Sequence, residues 1–167
     1  PEDRPIHVGN PRFLILGMGR IGSGAYDELR VQYEGEILGV EHKQDLVDYH
    51  NQQGRNVVQG DASDTDFWEK LDKAPNLELV LLAMPHHVGN LFAVEQLKRL
   101  DYQGKLSAIV QYKEDADSLQ ESGVHSVYNL YEAAGAGFVD HVVKELLSPN
   151  GAAPDHPEAV NHPRSDS

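Results

Sequence analysis

The sequence predicts an α/β fold in which a parallel sheet carries helices on both faces. Three observations lead there. Short apolar runs recur along the chain, each ending in glycine or a polar residue, as strands buried on both faces do. A helical pattern follows each run, and alternation of this kind builds parallel sheets. The first run leads directly into Gly17-Met18-Gly19-Arg20-Ile21-Gly22, a turn that closes a strand and opens a helix.

Residues 1–11 are polar and read as a lead-in segment, and residues 13–16 (FLIL) as the first strand. A helix is expected over 20–33, a second strand over 36–41 (EILGVE) and a helix over 45–53, with Gly54 where a C-terminal glycine cap belongs. Residues 56–59 (NVVQ) form a third short strand. Ser63 then caps a helix through Leu71, with Asp64 and Asp66 in its first turn. Residues 78–84 (ELVLLAM) carry the strongest strand signal. A helix follows over 86–100, a fifth strand over 106–111, a helix over 115–122 ended by Gly123, and a sixth strand over 126–128. The last helix, 132–147, sets Val139, Val142, Val143, Leu146 and Leu147 on one face at i, i+3, i+4, i+7 and i+8. From Ser148 the chain turns proline-rich and polar and reads as a flexible tail. The expected organisation is a lead-in (1–11), a nucleotide-binding domain (12–147) and a tail (148–167).

Composition narrows the function. The 167 residues hold 14 Lys+Arg against 27 Asp+Glu, a net charge of −13. Such a surface repels phosphate backbones and anionic membranes, so nucleic-acid binding is not expected. There is no cysteine, which removes disulfides, thiolate metal sites and cysteine nucleophiles. The longest apolar run, Leu79 to Met84, is too short to span a bilayer, so direct membrane insertion is not expected. A chain that opens on Pro1 rather than on a methionine, with no signal peptide, reads as an excised fragment.

The glycines of the first turn point to an anion. Gly17 allows the tight turn, Gly19 lets the backbone approach a pyrophosphate, and Gly22 lets helix and strand pack closely. The helix amino terminus offers unpaired N–H groups and partial positive charge. Glu41 ends the second strand, 19 residues after Gly22, where a carboxylate accepts hydrogen bonds from ribose hydroxyls. It also disfavours a 2′-phosphate, so NAD(H) or AMP is expected rather than NADP(H), although His42 and Lys43 could each receive a phosphate. Asp61, in Gly60-Asp61-Ala62, either caps the next helix or sits near adenine or ribose. Ala83-Met84-Pro85 ends the fourth strand at the same edge, with Met84 a pocket wall or plain packing.

Taken together, LILGMGRIG, LGVEH, VVQGDASD, LLAMPHHVGN and SAIVQYKEDADSLQESGVHSVYN resemble the TrkA-N domain, also called the regulator-of-potassium-conductance domain. Within it, the chain is most similar to the carboxy-terminal domain of Kef-type glutathione-regulated potassium-efflux systems. The resemblance spans about residues 12–143. It implies a Rossmann-like three-layer sandwich with a six-stranded parallel sheet of order 3-2-1-4-5-6. It also implies a homodimer that binds an adenine nucleotide and regulates a membrane transporter domain, of the same or an associated chain, at the cytoplasmic face of the inner membrane. It places phosphate contacts on Gly17, Met18, Gly19, Arg20 and Ile21, and ribose contacts on Glu41 with His42. Adenine-side contacts fall on Asp61 and Ala62, and a pocket wall on Ala83 and Met84. Where family members often carry an arginine pair after the fifth strand, this chain has Gln111 and Lys113, so a charge-based contact to phosphate or a partner there is in doubt. Glutathione recognition does not carry over, because its residues have no match here.

Other chemistry is weakly supported. His86 and His87 are adjacent and point about 100° apart on a helix, and no two-His helical spacing exists, so no metal site is expected. The pairs Asp64/Asp66 and Asp115/Asp117 sit at helix starts, where acids favour the dipole. The rival to a regulatory domain without a chemical step is a fragment of an NAD-dependent oxidoreductase. Hydride transfer needs a second element to bind substrate, and little chain remains to build one.

Overall fold

The computed structural model of the chain describes residues 8–71 and 74–147. They divide into two compact units, one running through Asn129 and one beginning at Leu130. The first unit contains β1 (Pro11–Leu16), α1 (Arg20–Gln32), β2 (Glu36–Glu41), α2 (Gln44–Gln52), β3 (Val57–Gln59), α3 (Thr65–Leu71), β4 (Leu79–Leu82), α4 (His87–Arg99), β5 (Lys105–Val110), α5 (Lys113–Glu121) and β6 (Ser126–Asn129). Its strands form one parallel sheet of order β3-β2-β1-β4-β5-β6. This is the Rossmann-like order implied by the resemblance.

Alternation along β1 divides the core. Leu14 and Leu16 pack on one face with Phe67, Trp68, Val94 and Leu97 from α3 and α4. Phe13 and Ile15 pack on the other with Tyr26 of α1 and Val47 of α2. Helices on both faces make three layers, and every central strand is apolar on both sides.

The register assembles one edge. Leu16 stands opposite Val40 on one side and Leu82 on the other, and Glu41 stands opposite Gln59. The carboxyl ends of β1, β2, β3 and β4 therefore finish at one level, and the turns after them lie side by side, where open α/β sheets bind ligands.

Several element boundaries differ from those expected. β1 begins at Pro11, which pairs with Glu36 ahead of an irregularity before Phe13. A strand's first residue tolerates proline because its missing donor is not needed there. β4 stops at Leu82, although Ala83 N–H still donates to Leu16 O at 2.8 Å. The cap of α3 is Asp64, not Ser63: Asp64 Oδ1 accepts from Asp66 N–H at 3.0 Å. Gly54, at φ +81°, does follow α2, in a Schellman turn whose Arg55 N–H donates to His50 O at 2.9 Å.

In the second unit, α6 (Leu130–Leu146) starts two residues earlier than expected. None of its residues is buried, and Phe138 is 68% and Leu146 77% exposed. The expected tail, with its histidines His156 and His162, lies outside the described residues.

Candidate functional site

The turn between β1 and α1 is built from glycines with different tasks. Gly17 has φ +98°, and a Cβ there would sit 2.6 Å from Ala83 O. Both conformation and space exclude other residues. Its N–H donates to Val40 O at 3.0 Å, tying the turn to the end of β2. A Cβ on Gly22 would lie 1.9 Å from Gly17 O, so this glycine permits the close approach of α1 to β1. Gly19 is different. Its φ of −74° suits any residue, and a Cβ there would meet nothing within 4 Å. Neither strain nor packing calls for glycine at 19.

Gly19 is also the N-cap of α1, where it supplies no side-chain cap, and the first turn holds no acidic residue. Donors at this helix start are thus left to solvent or an anion. Arg20 and Ile21 are exposed beside it. Met18 contributes only backbone, because its side chain is buried among Phe13, Ile15, Tyr26 and Val57. That packing explains Gly39 of β2, where a Cβ would lie 2.7 Å from Met18 Sδ.

Glu41 closes the other wall. It is 7% exposed, and its Oε1 accepts from Met18 N–H at 3.3 Å. Its Oε2 accepts from Lys43 N–H at 3.0 Å and lies 3.2 Å from His42 Nδ1. The carboxylate therefore faces the glycine turn and braces it. A carboxylate has about four lone-pair positions, so these contacts leave acceptor capacity. His42 is exposed beside it.

The third turn is joined to this wall through Gly60 N–H, which donates to Glu41 O at 3.0 Å. Asp61 does not cap α3. Its Oδ1 accepts from Ser63 N–H at 2.9 Å and Ser63 Oγ–H at 2.6 Å, a local turn that leaves the capping to Asp64. The Ser63 hydroxyl, and then the Ser63 N–H, hold the Asp61 carboxyl below its ordinary range. Partial burial opposes them, and nearby His42 assists. Ala62 is buried with its carbonyl committed to Trp68 Nε1–H at 2.7 Å. Ala83 lies against Gly17, while half-buried Met84 packs on the core and its carbonyl accepts from Asn90 Nδ2 at 3.3 Å. The expected residues thus fall on neighbouring turns of one edge, with Met18, Ala62 and Met84 directing side chains into the protein.

Elsewhere, His87 joins α4 to α5, with Nε2 3.3 Å from Ser118 Oγ and Nδ1 3.7 Å from Asp115 Oδ1. Asp115 is thus a helix-start acid and also a partner of His87. Ser118 lies inside α5. Gln111 and Lys113 are exposed. Among the described residues no group of three or more His, Cys, Asp or Glu could hold a metal ion. Nor is any described helix long and apolar enough to cross a membrane.

Sequence reasoning passed over His50, which is 3% exposed beneath the glycine turn. The signal was its place on α2, three residues after buried Val47 and hence on the same helix face.

The family model of the TrkA-N domain matches residues 13–130. Among solved structures, the chain is similar to the NAD(P)-binding domain of an exopolyphosphatase-related protein from Archaeoglobus fulgidus, with TM-score 0.71 and 20% identity over 81% of this chain and 99% of that one. It is also similar to the TrkA-N domain of the inner membrane protein ybaL from Escherichia coli, with TM-score 0.70 and 17% identity over 81% of this chain and 98% of that one. The Kef carboxy-terminal domain of Shewanella denitrificans in its AMP-bound form gives TM-score 0.58 and 21% identity over 84% of this chain and 98% of that one. At these identities the likeness concerns the fold. No curated protein sequence matches.

Proposed function

Because the chain belongs to the TrkA-N domain family, matched over residues 13–130, we propose that it is a regulatory domain that binds NAD(H) or AMP and controls a potassium-efflux or cation:proton antiport system. The observation that carries this reading is Gly19: a glycine required by neither backbone nor packing, at the uncapped start of α1, next to Met18, whose N–H donates to Glu41. A phosphate explains it, since any side chain there would occupy the anion's place. The backbone from Gly17 to Ile21 holds the phosphates, and Glu41 with His42 takes the ribose. Asp61 and the Ala62 backbone line the adenine side, and Ala83 and Met84 form the wall. The AMP on the similar Kef domain and the likeness to the NAD(P)-binding domain from Archaeoglobus support a nucleotide ligand of this class.

The domain performs no chemical step. It acts at the cytoplasmic face of the inner membrane as a homodimer, and the ligand works by binding two dimer arrangements unequally, a coupling of about 1–3 kcal/mol. Calorimetric titration with NAD, NADH, NADP, AMP and ATP tests the reading. The expected result is saturable binding of NAD(H) or AMP, with NADP weaker because Glu41 opposes a 2′-phosphate. Absence of binding at millimolar ligand would overturn it.

A further inference from the structure

Met18 is gripped through both of its peptide groups. Its N–H donates to Glu41 Oε1 at 3.3 Å, and its C=O lies 2.7 Å from His50 Nε2. The other ring nitrogen, Nδ1, is 3.2 Å from Arg55 Nη1. An arginine only donates and a carbonyl only accepts, so these neighbours assign the tautomer: Nδ1 accepts from Arg55, and Nε2–H donates to Met18. Arg55 is clamped in turn by Asp27 of α1, Nε to Oδ1 at 2.9 Å and Nη2 to Oδ2 at 2.8 Å. The Schellman turn at Gly54 brings Arg55 back alongside His50.

A trans peptide sets N–H and C=O in opposite directions. Met18 C=O and Gly19 N–H share one peptide. With the carbonyl drawn inward to buried His50, the Gly19 N–H is aimed outward, on the exposed side of the turn. A reversed peptide would present a carbonyl oxygen to the phosphate instead. Among the described residues the other donor near this carbonyl is Ser23 Oγ–H, 3.3 Å away and closer to Gly19 O at 2.6 Å.

We propose that His50, held in one tautomer by Arg55 and Asp27, is the positioning residue that turns the Gly19 amide toward the bound phosphate. This rests on the nucleotide reading above and assigns that site a support reaching across α1 and α2. A leucine at 50 removes the donor. A glutamine keeps an N–H donor at a similar reach.

The experiment measures AMP affinity calorimetrically for the unmodified chain, His50→Leu and His50→Gln. It also follows the Gly19 amide by nitrogen-15 NMR without nucleotide, and checks each fold by thermal melting. Loss of one buried hydrogen bond and of the amide's direction predicts about tenfold weaker AMP binding for His50→Leu. The Gly19 amide resonance moves in His50→Leu, and His50→Gln restores both affinity and resonance. Unchanged AMP affinity in folded His50→Leu, or an equal loss in His50→Gln, overturns the proposal. If the unmodified chain binds no adenosine phosphate, the nucleotide reading fails by itself. The Gly19 resonance then decides the role of His50, an unmoved signal in His50→Leu overturning it. Should His50→Leu not fold, Arg55→Met replaces it: weakened AMP binding supports the relay, and unchanged binding overturns it.

Discussion

An alanine at Gly22 would push its Cβ to 1.9 Å from the Gly17 carbonyl oxygen, and backbone cannot move aside cheaply. Gly22→Ala should lower stability by about 2 kcal/mol or more, read as a lower urea midpoint. Gly19 carries the opposite expectation. It is the N-cap of α1 with open space beyond it, and aspartate is a favoured N-cap residue near a positive helix end. Gly19→Asp should therefore melt at or above the temperature of the unmodified chain while losing nucleotide binding, because its carboxylate repels phosphate. Unchanged affinity in calorimetry would show that the turn is not the site. The motif assigns each glycine a task, but it does not say which of them the protein's own packing requires. The space around each decides that, because Gly22 is packed against backbone and Gly19 faces nothing.

At the scale of elements, the ion pair between Asp27 and Arg55 links α1 to the segment entering β3. Arg55, chiefly by hydrogen bonding, holds the Asp27 carboxyl below its ordinary range, against a smaller opposing effect of burial. A carboxyl depressed in the folded state stabilises it above its unfolded pKa and loses that contribution as pH falls through the folded value. Asp27 is 42% exposed, so water screens the pair and its contribution is about 1 kcal/mol. Asp27→Asn should be less stable than the unmodified chain by roughly that amount at pH 7, and the gap should start to narrow below about pH 4 and go on closing as pH falls through the lowered folded value. Urea midpoints at pH 7 and pH 3 measure this. Asp61, also depressed, leaves both chains some acid sensitivity. The elements themselves were legible in order and type, since strand and helix periodicities are local. The ends were less so. Ser63 and Asp64 are both good caps in sequence, and Asp64 took the role because Ser63 is engaged by Asp61.

At the scale of the molecule, the proposed homodimer draws on apolar surface exposed among the described residues. In the second unit, taken by itself, Phe138, Val139 and Leu146 of α6 are exposed. Exposed apolar surface of this kind marks an interaction face. Light scattering should give twice the 18.5 kDa of one chain. Leu146→Glu, which places charge on that surface, should shift the population to monomer. With a net charge of −13 on each copy, added salt should strengthen association by screening repulsion. A monomer at all concentrations and salt levels would remove the dimer from the proposal.

What this sequence determined alone is whatever depends on near neighbours: the alternation of strand and helix, the glycine turn after β1, and the acid ending β2. These follow from residue spacing, which is one-dimensional. Tertiary structure decided the rest. Asp27, His50 and Arg55 meet under Met18 only because α1 and α2 pack on the same face of the sheet. Gly39 suits its place because Met18 and Val57 fill the space a Cβ would take. Distances between residues remote in the chain belong to the folded sheet, and no local pattern encodes them.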